Sequence, residues 1–455
     1  MWNLGKLQVF PAASLPPHSP HEQRDVSPAR IKSVRIQIFG SRELMSFGFV
    51  LLLMTKPSVC FGRQDDQMAT TLTVSQRREV VNTAWQEVHD LFYDPDFRGV
   101  DWNRVHQQYL SRIDEVQTIE QTEALIREMV GRLHNSHSGV MTHDEVIQSH
   151  NVLPFFFDKA DHRVFVSYVF ETREGAQASP LRFGDEILAV DSQPAKALRF
   201  PDSTWLVPIL SNPYYGPAGS VAKLTIRRRG IVLTLQVPRL KAFSDIQPLV
   251  VRNFGSVGYL RFLKMDNETV PPDMLRAALQ RAAKSDALVL DLRHCEGGDA
   301  PVSDLLGGML LGPDVELVRH VPRPTPANDK SIVEKTTDFG SIYKGRVVLL
   351  VDRETYSQPE MLAAALNDYG RVKIIGEQTR GALNGFTEGV PLPDHVGILV
   401  IPVNRGISPH GKEYEGHGVP PDVKLQNSTL NFNDGQDIVL QTAVKIASQA
   451  WASTR

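Results

Sequence analysis

Cysteine is scarce, with only Cys60 and Cys295 among 455 residues. Tetrahedral structural zinc sites take four Cys/His ligands and disulfide scaffolds need several pairs, so neither framework is available. Neither sign of charge dominates: 49 Lys/Arg stand against 52 Asp/Glu. That balance leaves no broad electrostatic footprint for a nucleic-acid backbone or an anionic membrane surface. A long hydrophobic run is also missing. The apolar stretch Met45–Met54 is about ten residues, half of the roughly 20 that a bilayer-spanning helix needs. With 32 Gly and 30 Pro, the chain is neither collagen-like nor wholly disordered. What remains is a folded chain with length for about three domains.

The first forty-odd residues are proline-containing and basic, without apolar periodicity. Arg42, the run Met45–Met54, then Lys56, Pro57 and the small residues Cys60 and Gly62 have the order of a secretory signal. Residues 1–62 are therefore expected to be an upstream extension with a signal peptide, and the mature chain to be exported, periplasmic or extracellular, with no integral span once the signal is removed; the alternative for the apolar run is a buried helix or a membrane anchor.

From Thr73 the pattern turns helical. Thr73-x-x-Gln76 is a capping box, with Val81, Trp85, Val88 and Phe92 on one stripe. A second helix is expected from Asp101, with Trp102, Val105 and Tyr109 inward, and a third from the capping box Thr118-x-x-Gln121. This helical domain, 63–147, ends in the polar turn His134-Asn-Ser-His-Ser-Gly139. Between 148 and 240 the period becomes two, giving strands near 164–168, 222–227 and 231–237. The segment Leu181-Arg-Phe-Gly-Asp-Glu-Ile-Leu-Ala-Val-Asp191 resembles the core of PDZ domains, which bind extended peptides by adding a strand to a sheet edge. From 241 to 427 apolar strands alternate with helices, which argues for a helix-covered parallel or mixed sheet. Residues 428–455 are expected to form a C-terminal helical segment. The fold class is α/β with α+β mixing.

In such sheets, sites gather at the carboxyl ends of strands. Two strand ends are polar and turn-rich: Asp291-Leu-Arg-His-Cys-Glu-Gly-Gly298 and Asp352-Arg-Glu-Thr-Tyr-Ser-Gln-Pro-Glu360. Ser357 precedes a helix, where free amides can hold an oxyanion. Read alone, Ser357-x-x-Glu360 is a capping box and Ser357 a helix cap. The nucleophile reading needs a base and an amide donor, and His137 and the Gly297-Gly298 pair are candidates. His134, His137 and His143 lack the spacing of a metal site, and no metal or cofactor is expected. Gly376-Glu-Gln-Thr-Arg-Gly381 has phosphate-loop glycine spacing, but Ala382-Leu383 stand where Lys-Ser/Thr should be, so nucleotide binding is rejected. Cys295 reads as a buried small residue.

Assembled in order, these parts resemble the C-terminal processing (tail-specific) serine peptidase family. The resemblance runs over about 75–425. It rests on Trp85–Phe97, the PDZ-like insert, the Asp-Leu-Arg-x-x-x-Gly-Gly strand end, Ser357-x-x-Glu360 with Ala363-Ala-Ala-Leu366, Ile374-Ile-Gly-Glu-x-Thr379, and Tyr414-Glu-Gly-His-Gly-Val-Pro-Pro-Asp-Val423. It implies a crotonase-like, tail-specific protease core with Ser357 as nucleophile and the amides of Gln358 and Gly297 as oxyanion hole. Familiar members place a lysine in the turn after Gly-Glu-x-Thr, where this chain has Ala382. The branch resembling the tricorn core uses Ser-His-Ser-Glu instead, and Ser136-His137 and Glu415 match those elements. The family often has asparagine where Cys295 stands. The implied activity is an exported serine endopeptidase acting on unstructured or C-terminal regions of polypeptides. The alternative is a catalytically silent peptide- or lipophile-binding protein of the same fold.

Overall fold

The computed structural model describes residues 71–142, 151–198, 212–217, 219–241, 244–324 and 330–449. The expected signal region and His143 lie outside them. Among the described residues no helix is long and apolar enough to cross a membrane.

The centre is a six-stranded sheet. Its edge strand Leu249–Phe254 is antiparallel to Val257–Phe262. Then Ala287–Asp291, Arg346–Val351, Lys373–Gly376 and Val423–Lys424 follow, all parallel. Successive side chains of a strand point to opposite faces, and both faces here are covered. Leu288 and Leu290 pack under the helices Pro272–Ala282, Ala300–Leu311 and Gln358–Asp368. Ala287 and Val289 pack with Val439, Ala443 and Ala447 of the helix Ile438–Ser448. That double burial explains the unbroken apolar sequence of these strands.

The helices Val74–Leu91, Trp102–Leu110 and Ile119–Gly131 begin at Thr73, Asp101 and Thr118, and both capping boxes form. Their shared core, with Val81, Val88, Phe92, Trp102, Tyr109 and Leu125, is completed from far along the chain by Leu392, Val396, Leu399 and Ile401. The strand Gly139–Met141 pairs antiparallel with Ile398–Pro402, which also pairs with Thr387–Pro391. The turn after the third helix is thereby moored to the C-terminal half of the molecule.

Between these parts lies a sheet of Phe155–Ala160, Arg163–Val169, Glu186–Val190, Val221–Arg228 and Ile231–Pro238, with Gln193–Pro194 paired to Glu186–Val190. Its core holds Phe155, Phe157, Ile187, Leu224 and Ile226.

Candidate active site

Ser357 does not cap its helix. Its side chain makes no capping hydrogen bond, and its backbone is at φ 60°, ψ −129°. A positive φ at a non-glycine residue is costly and persists only where the surroundings enforce it. Here the Ser357 N–H donates to the Ala382 carbonyl at 2.9 Å, while Met361 N donates to the Ser357 carbonyl at 2.9 Å. The capping-box expectation fails at its other end as well. Glu360 turns away to accept from Gly381 N at 2.6 Å and Ala382 N at 2.8 Å, and from the Thr379 hydroxyl. Burial pushes the Glu360 carboxyl up to about 8, against those donors. Its role is to fold the 379–383 turn onto the serine.

The turn after Ala287–Asp291 lies alongside the one that carries Ser357, through a parallel bridge between Glu296 and Tyr356. Gly297 has φ +78°, and a Cβ there would stand 3.4 Å from Ser357 Cβ and 3.7 Å from its Oγ. Gly298, at φ +150°, abuts the Met265 backbone too closely for any side chain. Both glycines are thus required, one for conformation and one for space. Cys295 is fully buried and its thiol is pushed well up by burial, which leaves it inert.

A second group forms across 280 residues of chain. The Glu415 carboxylate, 8% exposed, accepts four hydrogen bonds. Asn135 Nδ2 at 3.1 Å and Ser136 N at 3.0 Å reach Oε1, and Ser136 Oγ and Leu383 N, each at 3.0 Å, reach Oε2. Ser136 Oγ is also 2.9 Å from His137 Nδ1. A hydroxyl has one proton. Donated to Glu415, it leaves an oxygen lone pair for Nδ1, so the neutral ring carries its proton on Nδ1 and its free pair on Nε2. Burial holds the His137 pKa below the usual imidazole value; Glu415 opposes this and Arg380 adds to it.

Leu383 and Ala382 are the link between the two groups. The Leu383 amide bonds Glu415, and the neighbouring Ala382 carbonyl bonds the Ser357 amide. Among the described residues, no hydrogen bond joins the Ser357 hydroxyl to the imidazole. Ser136, His137 and Glu415 are brought into direct contact, and Ser357 sits beside Gly297 at the start of the Gln358 helix. His134 takes no part and adopts φ 46° in the same turn.

Three residues escaped sequence reasoning. Asn135 accepts from His137 N at 2.9 Å and Ser138 Oγ at 3.2 Å, shaping the turn; an Asn at the head of a polar turn is the signal that could have found it. Glu360 was hidden by its resemblance to a cap. Arg380 lies over the Tyr356 ring at 4.5 Å and pairs with Glu354, an arrangement without a sequence signature.

Residues 256–425 match the family described as Peptidase family S41, and residues 74–131 match the Tricorn protease C1 domain. A tricorn protease homolog of Streptomyces coelicolor is 25% identical over 405 residues, covering 81% of this chain and 32% of that protein. A carboxyl-terminal-processing protease of Picosynechococcus is 23% identical over 427 residues, covering 90% of this chain and 97% of that protein. The chain therefore spans about a third of the tricorn homolog and nearly all of the processing protease. Among solved structures, the photosystem II D1 C-terminal processing protease matches with a TM-score of 0.51 at 23% identity, covering 78% of this chain and 94% of that one. Mature CPAF matches with a TM-score of 0.56 at 15% identity, covering 82% and 96%. At these identities the structures establish the shared fold.

Proposed function

From its membership of peptidase family S41, we propose that this chain is a serine endopeptidase in which Ser357 is the nucleophile and His137 the general base. The observation that carries the reading is the hydrogen-bond chain Glu415–Ser136–His137, which leaves Nε2 as the basic nitrogen. Neutral imidazole takes the Ser357 proton as the hydroxyl oxygen attacks a peptide carbonyl, then returns it to the leaving amine. Ser136 and Glu415 hold the ring in that tautomer and stabilise the imidazolium. The amides of Gly297 and Gln358 receive the oxyanion, and one such donor contributes about 10² to 10³ in rate. The lysine of other members has no counterpart at Ala382, which is fully buried.

The substrate class is unstructured polypeptide, and the names of relatives called carboxyl-terminal-processing proteases favour C-terminal tails among it. Export, with 1–62 removed, belongs to the same reading, as does the division into a helical domain to 147, a PDZ-like domain over 148–240, a protease core over 241–427 and a C-terminal segment.

The test is casein digestion alongside labelling by a fluorophosphonate probe. Wild type is expected to digest and label, and Ser357→Ala and His137→Ala to do neither. Absence of wild-type labelling throughout about pH 6–9 would instead favour a silent binder. Turnover retained by Ser357→Ala would sink the assignment.

A further inference from the structure

A second histidine occupies the turn that leads to Gly297. His294 has a side chain only 4% exposed, with Nε2 3.0 Å from Asp158 Oδ1 and 3.3 Å from Asp352 Oδ2. Ser167 Oγ lies 3.4 Å from the same nitrogen. The His294 N–H donates to both Asp352 oxygens at 3.0 and 3.1 Å, and the ring stacks on Phe156 at 4.7 Å. Three parts of the chain meet here. Asp158, Phe156 and Ser167 belong to the inserted sheet. Asp352 opens the turn that ends at Ser357, where its Oδ1 also accepts from Glu354 N at 2.9 Å. His294 itself stands three residues before Gly297.

We propose that His294 is a positioning residue whose imidazolium, clamped between Asp158 and Asp352, locks the Gly297 turn to the Ser357 turn and ties both to the inserted sheet. This rests on the serine peptidase reading of that site. One ring nitrogen faces two carboxylates; a neutral ring can share one Nε2–H between them, and the positive charge of the imidazolium attracts both more strongly. Burial lowers the His294 pKa, but Asp352 and Asp158 more than offset it, so the value is raised overall. The other charged groups in this neighbourhood are Arg261 of the strand Val257–Phe262, Arg293 and Glu296 of the same turn, and Arg353 beside Asp352. Arg261 opposes the charged ring, Glu296 favours it, and the two contacting carboxylates prevail. A raised histidine contributes stability that is fully present below about pH 6.5 and is lost as pH rises through the folded value. Above that value the neutral ring no longer screens two carboxylates from each other, and the two turns lose their register.

The experiment follows the thermal unfolding midpoint from pH 5.5 to 9, in the Ser357→Ala background, with and without Asp158→Asn. Asp158 is partly exposed, so the amide fits without repacking. The midpoint is expected to fall through an inflection above pH 6.5, and Asp158→Asn to move that inflection down by about one pH unit. His294→Lys, whose ammonium beside two carboxylates is expected to stay charged through pH 9, is expected to remove it. With Ser357 intact, Asp158→Asn is expected to lower kcat about tenfold at pH 8 and to leave KM within about twofold, with kcat counted per serine labelled by the fluorophosphonate probe, because loss of folded protein lowers the rate per total protein but not the rate per labelled serine. Superimposable midpoint profiles overturn the proposal. So does a midpoint raised by zinc in the parent but not in Asp158→Asn, which would assign Asp158, His294 and Asp352 to a cation. Because the midpoint is read without Ser357, a failure of the peptidase reading leaves this result intact.

Discussion

Replacing Glu415 by Gln separates charge and hydrogen-bond direction from shape. The carboxylate holds two donors on each oxygen, whereas an amide offers one oxygen and one NH2. If the NH2 faces Asn135 Nδ2 and Ser136 N, two donors lose their acceptor. If it faces Ser136 Oγ and Leu383 N, the hydroxyl can rotate to accept from it, and only the Leu383 amide is orphaned. At about 1–3 kcal/mol per buried unsatisfied group, the second arrangement is favoured. It has a chemical consequence. The rotated Ser136 hydroxyl now donates to His137 Nδ1, so the ring proton moves to Nε2 and cannot leave room for that of Ser357. A carboxylate-to-amide change that forces the wrong tautomer lowers kcat by about 10⁴ in the well-studied serine protease triad. Glu415→Gln is therefore expected to lower kcat by about 10² to 10⁴ and the unfolding free energy by about 1–3 kcal/mol. Steady-state hydrolysis of an unstructured peptide reads the first, and urea unfolding the second. A kcat within about threefold of wild type, with Ser357→Ala inactive, would refute the tautomer argument.

Since burial lowers the His137 pKa and the neutral ring is the active form in the proposed mechanism, the acid limb of kcat/KM should lie below about pH 6.5. Arg380→Gln, by removing a nearby cation, should move that limb to higher pH; an unmoved limb would detach Arg380 from the base. Ala382→Lys should neither raise activity nor rescue His137→Ala, because the side chain at 382 is fully buried and overpacking costs about 1–3 kcal/mol before any charge is buried. Recovered turnover in the double variant would contradict this.

Much of the architecture was legible because local signals and burial agree. Thr73 and Thr118 announce their helices by capping boxes that form, and the apolar runs at 287–291 and 346–351 become strands buried on both faces. The candidate site could be named from the sequence as a set of residue types in order. Its geometry was not, because it depends on dihedrals and on contacts remote in sequence. Ser357-x-x-Glu360 spells a cap in letters, yet Ser357 at φ 60° aims its backbone elsewhere. Asn135 shapes its own turn locally, but its contact with the site is made only when Glu415 arrives 280 residues later. The completion of the helical core by 392–401 is equally invisible to periodicity, which carries no information about which distant strand will cover a face.

That long separation has a temporal meaning. At about 5–20 residues per second of synthesis, the 279 residues between Ser136 and Glu415 take about 15–55 s to emerge. Throughout that interval the nascent chain holds its histidine turn without the carboxylate that orients it or the strand 398–402 that moors it. On the proposed assignment, a half-made molecule therefore has no oriented base until the last part of the chain has been made.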